Sequence, residues 1–189
     1  MDPVLVNIKD DGVFALAVVD RAAVGYSDAW QAPGGATAAT ADADDYPDGS
    51  SFVCQITSGK LTPSANVNRR DRAATFCSPA SSTPQVGQST YTLDVAFFQD
   101  QIVRDGISAF LYEHDTREAY WLLGLRGALT PPRAIGRCYL VSGGFGGEPQ
   151  ADLTDSLSFT IVRKPDILFG STGSTRLVTG AGAVTDTPS

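Results

Sequence analysis

Histidine is nearly absent from this sequence, because His114 is the single example among 189 residues. A metal site built from several histidines, such as the HExxH type, is therefore excluded. A Ser-His-Asp or Cys-His catalytic arrangement would have to use His114, at the expected C-terminal end of a helix. A partly exposed ring that interacts favourably with the helix dipole is the simpler interpretation of that position.

Cysteine is also scarce, and Cys54, Cys77 and Cys138 lie far apart with no CxxC spacing. This odd count, with an N-terminus that has neither a basic nor an apolar leader segment, argues against a secreted protein held by disulfides. Long apolar runs are missing too, since none approaches the roughly 20 residues of a membrane span. We therefore expect a soluble chain made in the cytoplasm, without a membrane span, whose cysteines are small buried hydrophobic residues.

Positive charge is limited to 14 Lys and Arg against 21 Asp and Glu, which gives a formal net charge of -7. Phosphate contacts need clustered cations, so specific nucleic-acid binding is not expected. One dense patch is basic: Arg69, Arg70 and Arg72. One cluster is acidic: Asp42, Asp44, Asp45 and Asp48. The two clusters could meet across a contact between subunits, and ordinary solvated charge is the alternative.

Hydrophobic patterning predicts a chain of short strands, at residues 4–10, 13–20, 51–59, 89–98, 119–126, 137–143 and 156–164. The clearest of them places Leu93, Val95 and Phe97 on one face and Thr92 and Asp94 on the other. Trp121 lies in a strongly apolar strand, which favours core packing. No alternation of strands with helices is visible, so the sheet is predicted to be antiparallel.

One helix is predicted, at about 101–113, with Asp100 as its N-cap and an apolar stripe formed by Ile102, Val103, Ile107, Phe110 and Leu111. Residues 1–170 are expected to form one β domain with long loops at about 21–50 and 58–73. Residues 171–189 are rich in Gly, Ser and Thr and are expected to be a flexible arm. The predicted fold class is mainly β, an antiparallel barrel or sandwich with one short flanking α-helix and an extended C-terminal arm.

The glycine-rich stretch VSGGFGGEPQ, residues 141–150, follows an apolar run in the manner of a phosphate-binding loop. A P-loop needs a Lys and a Ser or Thr after the glycines and then a helix, whereas here Glu148 and Asp152 follow. GGFGG also differs from the GxGxxG dinucleotide fingerprint, and no βαβ unit surrounds it. We therefore predict no cofactor and interpret the stretch as a tight connection with Phe145 at its tip, placed at a subunit interface.

Two other function classes stay open at this point. A pair of carboxylates for glycan hydrolysis, with Glu113 and Asp152 as candidates, would make the protein an enzyme. Trp30, an aromatic residue in a polar loop, would suit a sugar-binding β-sandwich, although such a residue also docks on its own domain or on a neighbouring subunit.

Open sheet edges are expected, because the predicted strands are too few to close a large barrel. Unpaired edges must be protected or paired by another chain. Together with long loops and a polar tail, they indicate a subunit that is completed by head-to-tail assembly into a ring.

The segment LDVAFFQDQIVRDGISAFLYEHDTREAYWLLGLR, residues 93–126, resembles the central part of major tail tube proteins of long-tailed (siphovirus-type) bacteriophages, especially actinobacteriophages. In both, an alternating strand runs into a short amphipathic helix, a turn, an aromatic strand and a small-residue AIG. Residues 47–80 and the strand SLSFTIVRKPDILFG, residues 156–170, resemble other parts of the same family. The resemblance covers roughly Pro47 to Gly170.

The resemblance implies a structural virion protein and not an enzyme. Hexameric rings would stack into a tail tube that conducts DNA during ejection, with tape measure, terminator and distal tail proteins as partners and assembly in the host bacterial cytoplasm. Double-stranded DNA would pass without specific binding. Carried onto this chain, the resemblance implies stacking contacts by the 58–73 loop, with Arg69, Arg70 and Arg72, and by the arm after Gly170. From the residues themselves, the further contact candidates are Trp30, the acidic cluster and Phe145, and the candidates for the lumen are Asp94 and Asp152. A tail terminator, a baseplate ring and a secretion-type tube subunit are the related alternatives.

Overall fold

The computed structural model describes residues 12–46, 55–65, 67–75, 81–87, 89–99, 106–125, 131–144, 154–171 and 174–187. Within them the chain forms eleven strands, one α-helix and two short 3₁₀-helices. The strands are β1 (Val13–Val18), β2 (Ile56–Ser64), β3 (Val67–Arg72), β4 (Ser81–Val86), β5 (Thr90–Phe98), β6 (Glu118–Gly124), β7 (Arg133–Tyr139), β8 (Thr154–Ile161), β9 (Asp166–Ser171), β10 (Ser174–Val178) and β11 (Val184–Thr187). The helices are α1 (Ile107–Glu113) and the 3₁₀-helices Pro33–Gly35 and Ala43–Asp45.

Nine of these strands form one antiparallel sheet that branches at β7. β1 pairs with β6, and β6 occupies one edge of β7 over its whole length. The other edge of β7 is shared, since Arg133–Ile135 pair with β9 and Cys138–Tyr139 pair with β8. One branch continues as β8-β5-β2 and the other as β9-β10-β11. Within the described strands the sheet does not close into a barrel, which confirms the predicted mainly β, sandwich-like class.

Both faces of the central strands β1, β6 and β7 are covered, so the chain has two hydrophobic cores. The larger core lies between these strands, α1 and the β8-β5-β2 branch, and contains Leu16, Trp121, Cys138, Phe159 and Leu111. The smaller core lies under residues 19–46, here named the cover segment, and contains alanines of that segment with Tyr120, Leu122, Ile135 and Leu168. Because both faces are buried, β1 and β6 are apolar at nearly every position instead of alternating.

The alternation predicted for two strands is confirmed. In β5, Leu93, Val95 and Phe97 are buried while their neighbours are partly exposed. In β8, Phe159 and Ile161 are buried, and Thr160 between them is exposed. Trp121 is fully buried, as its apolar surroundings in the sequence indicated.

Helix α1 is confirmed from Ile107 onwards, with Ile107, Phe110 and Leu111 buried as predicted. Its N-cap is Gly106, not Asp100, and the Ile107 amide donates to the side-chain Oε1 of Gln55 at 2.7 Å. A side chain that is distant in sequence thus accepts a hydrogen bond from the first turn of the helix. Local sequence patterns do not reveal such a contact. His114 is the C-cap, and its ring packs edge-on against Phe110 at 4.7 Å between centroids.

Two predictions of irregular structure are wrong. The expected loop at 58–73 contains β2, paired with β5, and β3, paired with β4. The expected flexible arm at 171–189 contains β10 and β11, which extend the sheet from β9. These strands are mostly polar in sequence and are organised by backbone pairing, so hydrophobic periodicity does not mark them. The expected strand at 4–10 and the N-terminal part of the strand at 51–59 lie outside the described residues.

The expected irregular character of segment 21–50 is confirmed over residues 21–46. The segment is rich in alanine, and these small side chains allow it to pack closely on the sheet. Ala32, Ala38 and Ala41 are fully buried. Tyr46 closes the end of the segment and is also buried, and burial raises the pKa of its hydroxyl.

Candidate functional site

The outer side of β2, β5 and β8 is a three-strand surface, here named the polar face. Register aligns its members in rows: Ser58, Lys60 and Thr62 on β2, Thr92, Asp94 and Ala96 on β5, and Ser156, Ser158 and Thr160 on β8. All nine are exposed or half-buried, while the opposite side of β5 is core. The polar face therefore presents hydroxyls, one ammonium and one carboxylate to its surroundings.

Asp94, predicted to face a lumen, lies at the centre of this surface. Its Oδ2 accepts from Thr62 Oγ1 at 2.9 Å, and its Oδ1 accepts from Ser158 Oγ at 2.5 Å. These two hydrogen bonds, first that of Ser158 and then that of Thr62, lower the pKa of Asp94, and the charge of Lys60 across the β2–β5 pair adds to the effect. The carboxylate is thus held ionised and ties the three strands together through side chains.

Replacing Asp94 with asparagine is expected to lower the free energy of unfolding by about 1 kcal/mol or less at neutral pH. Because the pKa of Asp94 is depressed in the folded protein, its contribution is present above the unfolded value of about 4 and is lost as pH falls through the folded value. The difference between variant and wild type should therefore shrink as pH falls below about 4 and disappear once pH lies below the folded pKa of Asp94. Urea unfolding over a series of pH values from neutral downwards measures it.

The matched control for that experiment is Asp44→Asn, because Asp44 is an exposed aspartate with no partner among the described residues. It should show no pH-dependent difference from wild type. Equal behaviour of the two variants would contradict the role assigned to the hydrogen bonds of Asp94.

The acidic cluster forms a rigid turn, here named the acidic turn, around the 3₁₀-helix Ala43–Asp45. Asp42 caps this helix through its side chain, and Asp45 Oδ2 accepts from the Asp42 amide at 2.8 Å, which completes a capping box. Asp44 and Asp45 are exposed, and Asp42 is half-buried. Asp48 lies outside the described residues. The three described aspartates are therefore presented in one fixed geometry.

Arg133 lies near this turn, and no sequence motif marks it as a site residue. Arg133 is buried and donates from Nη2 to the carbonyl oxygen of Ala41. Burial lowers the pKa of its guanidinium, while Tyr46, Asp42 and Asp45 act in the opposite direction. Part of the charge of the acidic turn is thus balanced within the chain.

A second buried arginine, Arg137, holds the other end of the cover segment. It donates to the hydroxyl of Tyr26 at 2.8 Å and to the carbonyl of Asp28 at 2.8 Å, and pairs with Glu118 at 3.1 Å. Tyr26 in turn donates to the Asp28 carboxylate at 2.9 Å, and burial followed by this hydrogen bond raises its pKa. Arg133, Ile135 and Arg137 are two residues apart on β7 and therefore lie on one face of the strand. That spacing is the signal from which the sequence could have identified the two arginines.

Trp30 packs on its own chain. It is half-buried against the smaller core, with its ring edge-on to Tyr26 at 6.3 Å between centroids. A Cβ at Gly35 would lie 2.9 Å from Trp30 Nε1, so the ring rests directly on the Gly35 backbone. The sequence left two possibilities for Trp30, packing on its own domain or on a neighbouring subunit, and the structure shows the first. A contact of Trp30 with another subunit stays a prediction.

The remaining candidates are placed less completely. Arg69, Arg70 and Arg72 lie on β3, at register positions opposite Pro84, Thr83 and Ser81 of β4. Phe145 and Asp152 lie outside the described residues. At the start of the glycine stretch, the Gly144 amide donates to Asp155 Oδ2 at 3.0 Å and its carbonyl accepts from Gln99 at 2.9 Å.

Neither alternative function class gains support from the described residues. Glu113 is exposed at the end of α1, and its suggested partner Asp152 lies outside them. Over the part of the chain that the structure describes, no three His, Cys, Asp or Glu side chains are grouped to hold a metal ion.

Comparison with known proteins adds no identification: no protein-family model matches the chain, and no curated protein matches it. Among the helices described above, none has the length and apolar character needed to cross a membrane.

Proposed function

We propose that this protein is the subunit of a bacteriophage tail tube, in which six copies form a ring and rings stack into a conduit for DNA. The polar face carries the proposal. A surface of nine small or polar residues, with Lys60 and Asp94 adjacent across one strand pair, has no cluster of cations to hold phosphate. Attraction for DNA at every ring would add up along a tube and arrest the strand.

The open sheet supplies the means of assembly. The path through the sheet ends at β2 on one side and β11 on the other, and neither strand has a second partner among the described strands. All four residues of β11 are exposed. Identical copies can pair such edges head to tail. A closed ring forms when the rotations from each copy to the next add up to a full turn.

In this function the polar faces of the six copies line the lumen. The subunit would act in the virion tail after assembly in the host cytoplasm, together with tape measure, terminator and distal tail proteins. Double-stranded DNA would pass through without sequence-specific contact.

Negative-stain electron microscopy of the purified protein at increasing concentration tests the proposal. Stacked six-fold rings that lengthen into tubes are the expected result. Single rings that never stack would instead indicate a terminator or baseplate ring, and a monomer at every concentration would refute a ring-forming function.

A variant of the open edge serves as the matched control. Val184, an exposed apolar residue of β11, is replaced with lysine, which protects sheet edges from pairing. V184K should keep the circular dichroism and thermal unfolding of the wild type but assemble less. Unchanged assembly would exclude β11 as the joining edge.

A further inference from the structure

The cover segment, residues 19–46, is joined to the sheet by little backbone pairing. At its start, the Val19 amide donates to the Glu118 carbonyl at 2.9 Å. After Val19, the backbone-to-backbone hydrogen bonds that the segment makes with described residues are internal to it and join positions three or four apart, as from Ala41 to Thr37. The segment is thus a series of local turns, which can move away from the sheet with their own hydrogen bonds intact.

Polar side chains anchor the segment near both ends and in the middle. Among these anchors are the hydrogen bonds from Arg137 to Tyr26 and Asp28, from Gln31 to the Lys164 carbonyl, and from Arg133 to the Ala41 carbonyl. Both arginines are buried. Burying a cation costs free energy even when the cation is paired, and opening of the segment returns both guanidinium groups to water. The anchors therefore stabilise the closed state by less than their number suggests.

Closing the segment also leaves polar atoms without hydrogen bonds. Within the described residues, the Tyr46 hydroxyl, Gln31 Oε1 and Arg137 Nε have no hydrogen-bond partner, and all three residues are buried. Each of these atoms gives up its hydrogen bonds to water when the segment closes and recovers them when it opens. This cost reduces the free energy that holds the segment on the sheet.

The contacts that opening would break belong to the smaller core. That core combines side chains of the segment with one face of β1, β6, β7 and β9, whereas α1 and the larger core lie on the other face. The pairing of β1 with β6 and of β6 with β7 uses no residue of the segment. The sheet and the larger core can therefore stay folded while the segment is open, which is the condition for a separate cooperative unit.

We propose that the cover segment opens and closes as one unit over a folded sheet, and that Arg137 holds it closed. Opening exposes Tyr120, Leu122 and Ile135, so the chain presents this apolar face only in its open form. The inference goes beyond the proposed function, and it does not depend on ring formation.

Two buried alanines on opposite faces of the sheet test the opening. Ala17 on β1 belongs to the smaller core, and Ala119 on β6 belongs to the larger core. A17C and A119C are treated briefly with iodoacetamide at a series of urea concentrations, after circular dichroism has established that both fold. Peptide mass spectrometry measures each thiol separately from those of Cys54, Cys77 and Cys138.

The thiol of A17C should be alkylated about 100-fold or more faster than that of A119C, because release of the segment exposes it without global unfolding. Its rate should rise with urea, but less steeply than that of A119C, since opening exposes less surface than unfolding. A38C places a thiol in the segment itself, at a fully buried position, and should show the same urea dependence as A17C. Agreement of the two establishes that the introduced thiol does not itself force the segment open.

Two further substitutions separate the segment from the rest of the fold. Tyr26→Phe removes an acceptor of Arg137, which keeps Glu118 at 3.1 Å, and should speed alkylation of A17C about fivefold. Ile107→Val, in the larger core, should speed alkylation of A119C about threefold or more and leave A17C unchanged.

Three results would overturn the inference. Equal rates and equal urea dependence for A17C and A119C would mean that the domain unfolds as a whole. A rate for A17C that does not respond to urea would mean local motion without release of the segment. An unchanged rate for A17C in the Tyr26→Phe background, or a faster one in the Ile107→Val background, would contradict the role of Arg137 and the independence of the two cores.

Discussion

Replacing Arg137 with alanine is expected to lower the free energy of unfolding by about 3 kcal/mol, because it leaves buried partners without their cation. Glu118, whose side chain is 8% exposed, loses the ion pair from β7. The Tyr26 hydroxyl and the Asp28 carbonyl each lose a donor. Glu118 keeps Arg21 at 2.6 Å, an exposed partner, which places the expected loss near the lower end for a broken buried pair. Urea unfolding measures the change.

Arg163→Ala is the matched control for this experiment. The exposed guanidinium of Arg163 donates to the same Asp28 carbonyl. Its removal therefore deletes a similar hydrogen bond but leaves no buried charge without a partner. A loss of about 0.5 kcal/mol or less is expected. The double variant R137M/E118Q, which removes both charges, should lose less than R137A. Equal losses for R137A and R163A would contradict the assigned role of Arg137 in holding the cover segment.

Replacing Gly136 with alanine is expected to destabilise the fold by about 1–3 kcal/mol through overpacking. Gly136 lies opposite Trp121 across the β6–β7 pair, and the indole covers its backbone. An added Cβ would lie 2.8 Å from Trp121 Cζ2 and 2.9 Å from Cε2. The indole is completely buried and cannot turn away without disturbing the larger core.

A double-mutant cycle identifies the cause of the Gly136 effect. In a Trp121→Leu background the space above Gly136 is larger, so Gly136→Ala should cost clearly less than in wild type. Gly144→Ala is the control, since a Cβ there would meet no atom within 4 Å. Thermal and urea unfolding of the four cycle members provide the data. A cost for Gly136→Ala that does not depend on residue 121 would assign the effect to the strand backbone and not to the ring.

The part of the fold that sequence predicted well is the part whose signal is local. Alternation in β5 and β8 is a property of consecutive residues, and both strands were assigned to the correct faces. The stripe on α1 follows the helical period over a few turns. The same alternation puts Asp94 on the open side of β5, which is the polar face.

The strands that sequence did not predict depend on pairing with another strand. β11 and the part of β2 after Gly59 are mostly polar, and what makes them strands is a neighbouring backbone: β10 for one and β5 for the other. Backbone hydrogen bonds are the same for every residue type except proline, so they leave no trace in composition.

The sequence by itself determined a mainly β chain, acidic and poor in histidine, with a buried Trp121 and an outward Asp94. Only the tertiary structure decided that β7 serves two branches, that an alanine-rich segment covers a second core, and that Arg133 and Arg137 hold that cover from below. The physical reason is that burying a charged side chain costs free energy unless its partners are present, and the partners in the cover segment, Ala41 for Arg133 and Tyr26 for Arg137, lie 92 and 111 positions away in the sequence. Periodicity records which face of an element is apolar, whereas the partners of a buried cation are set by the fold that brings them together.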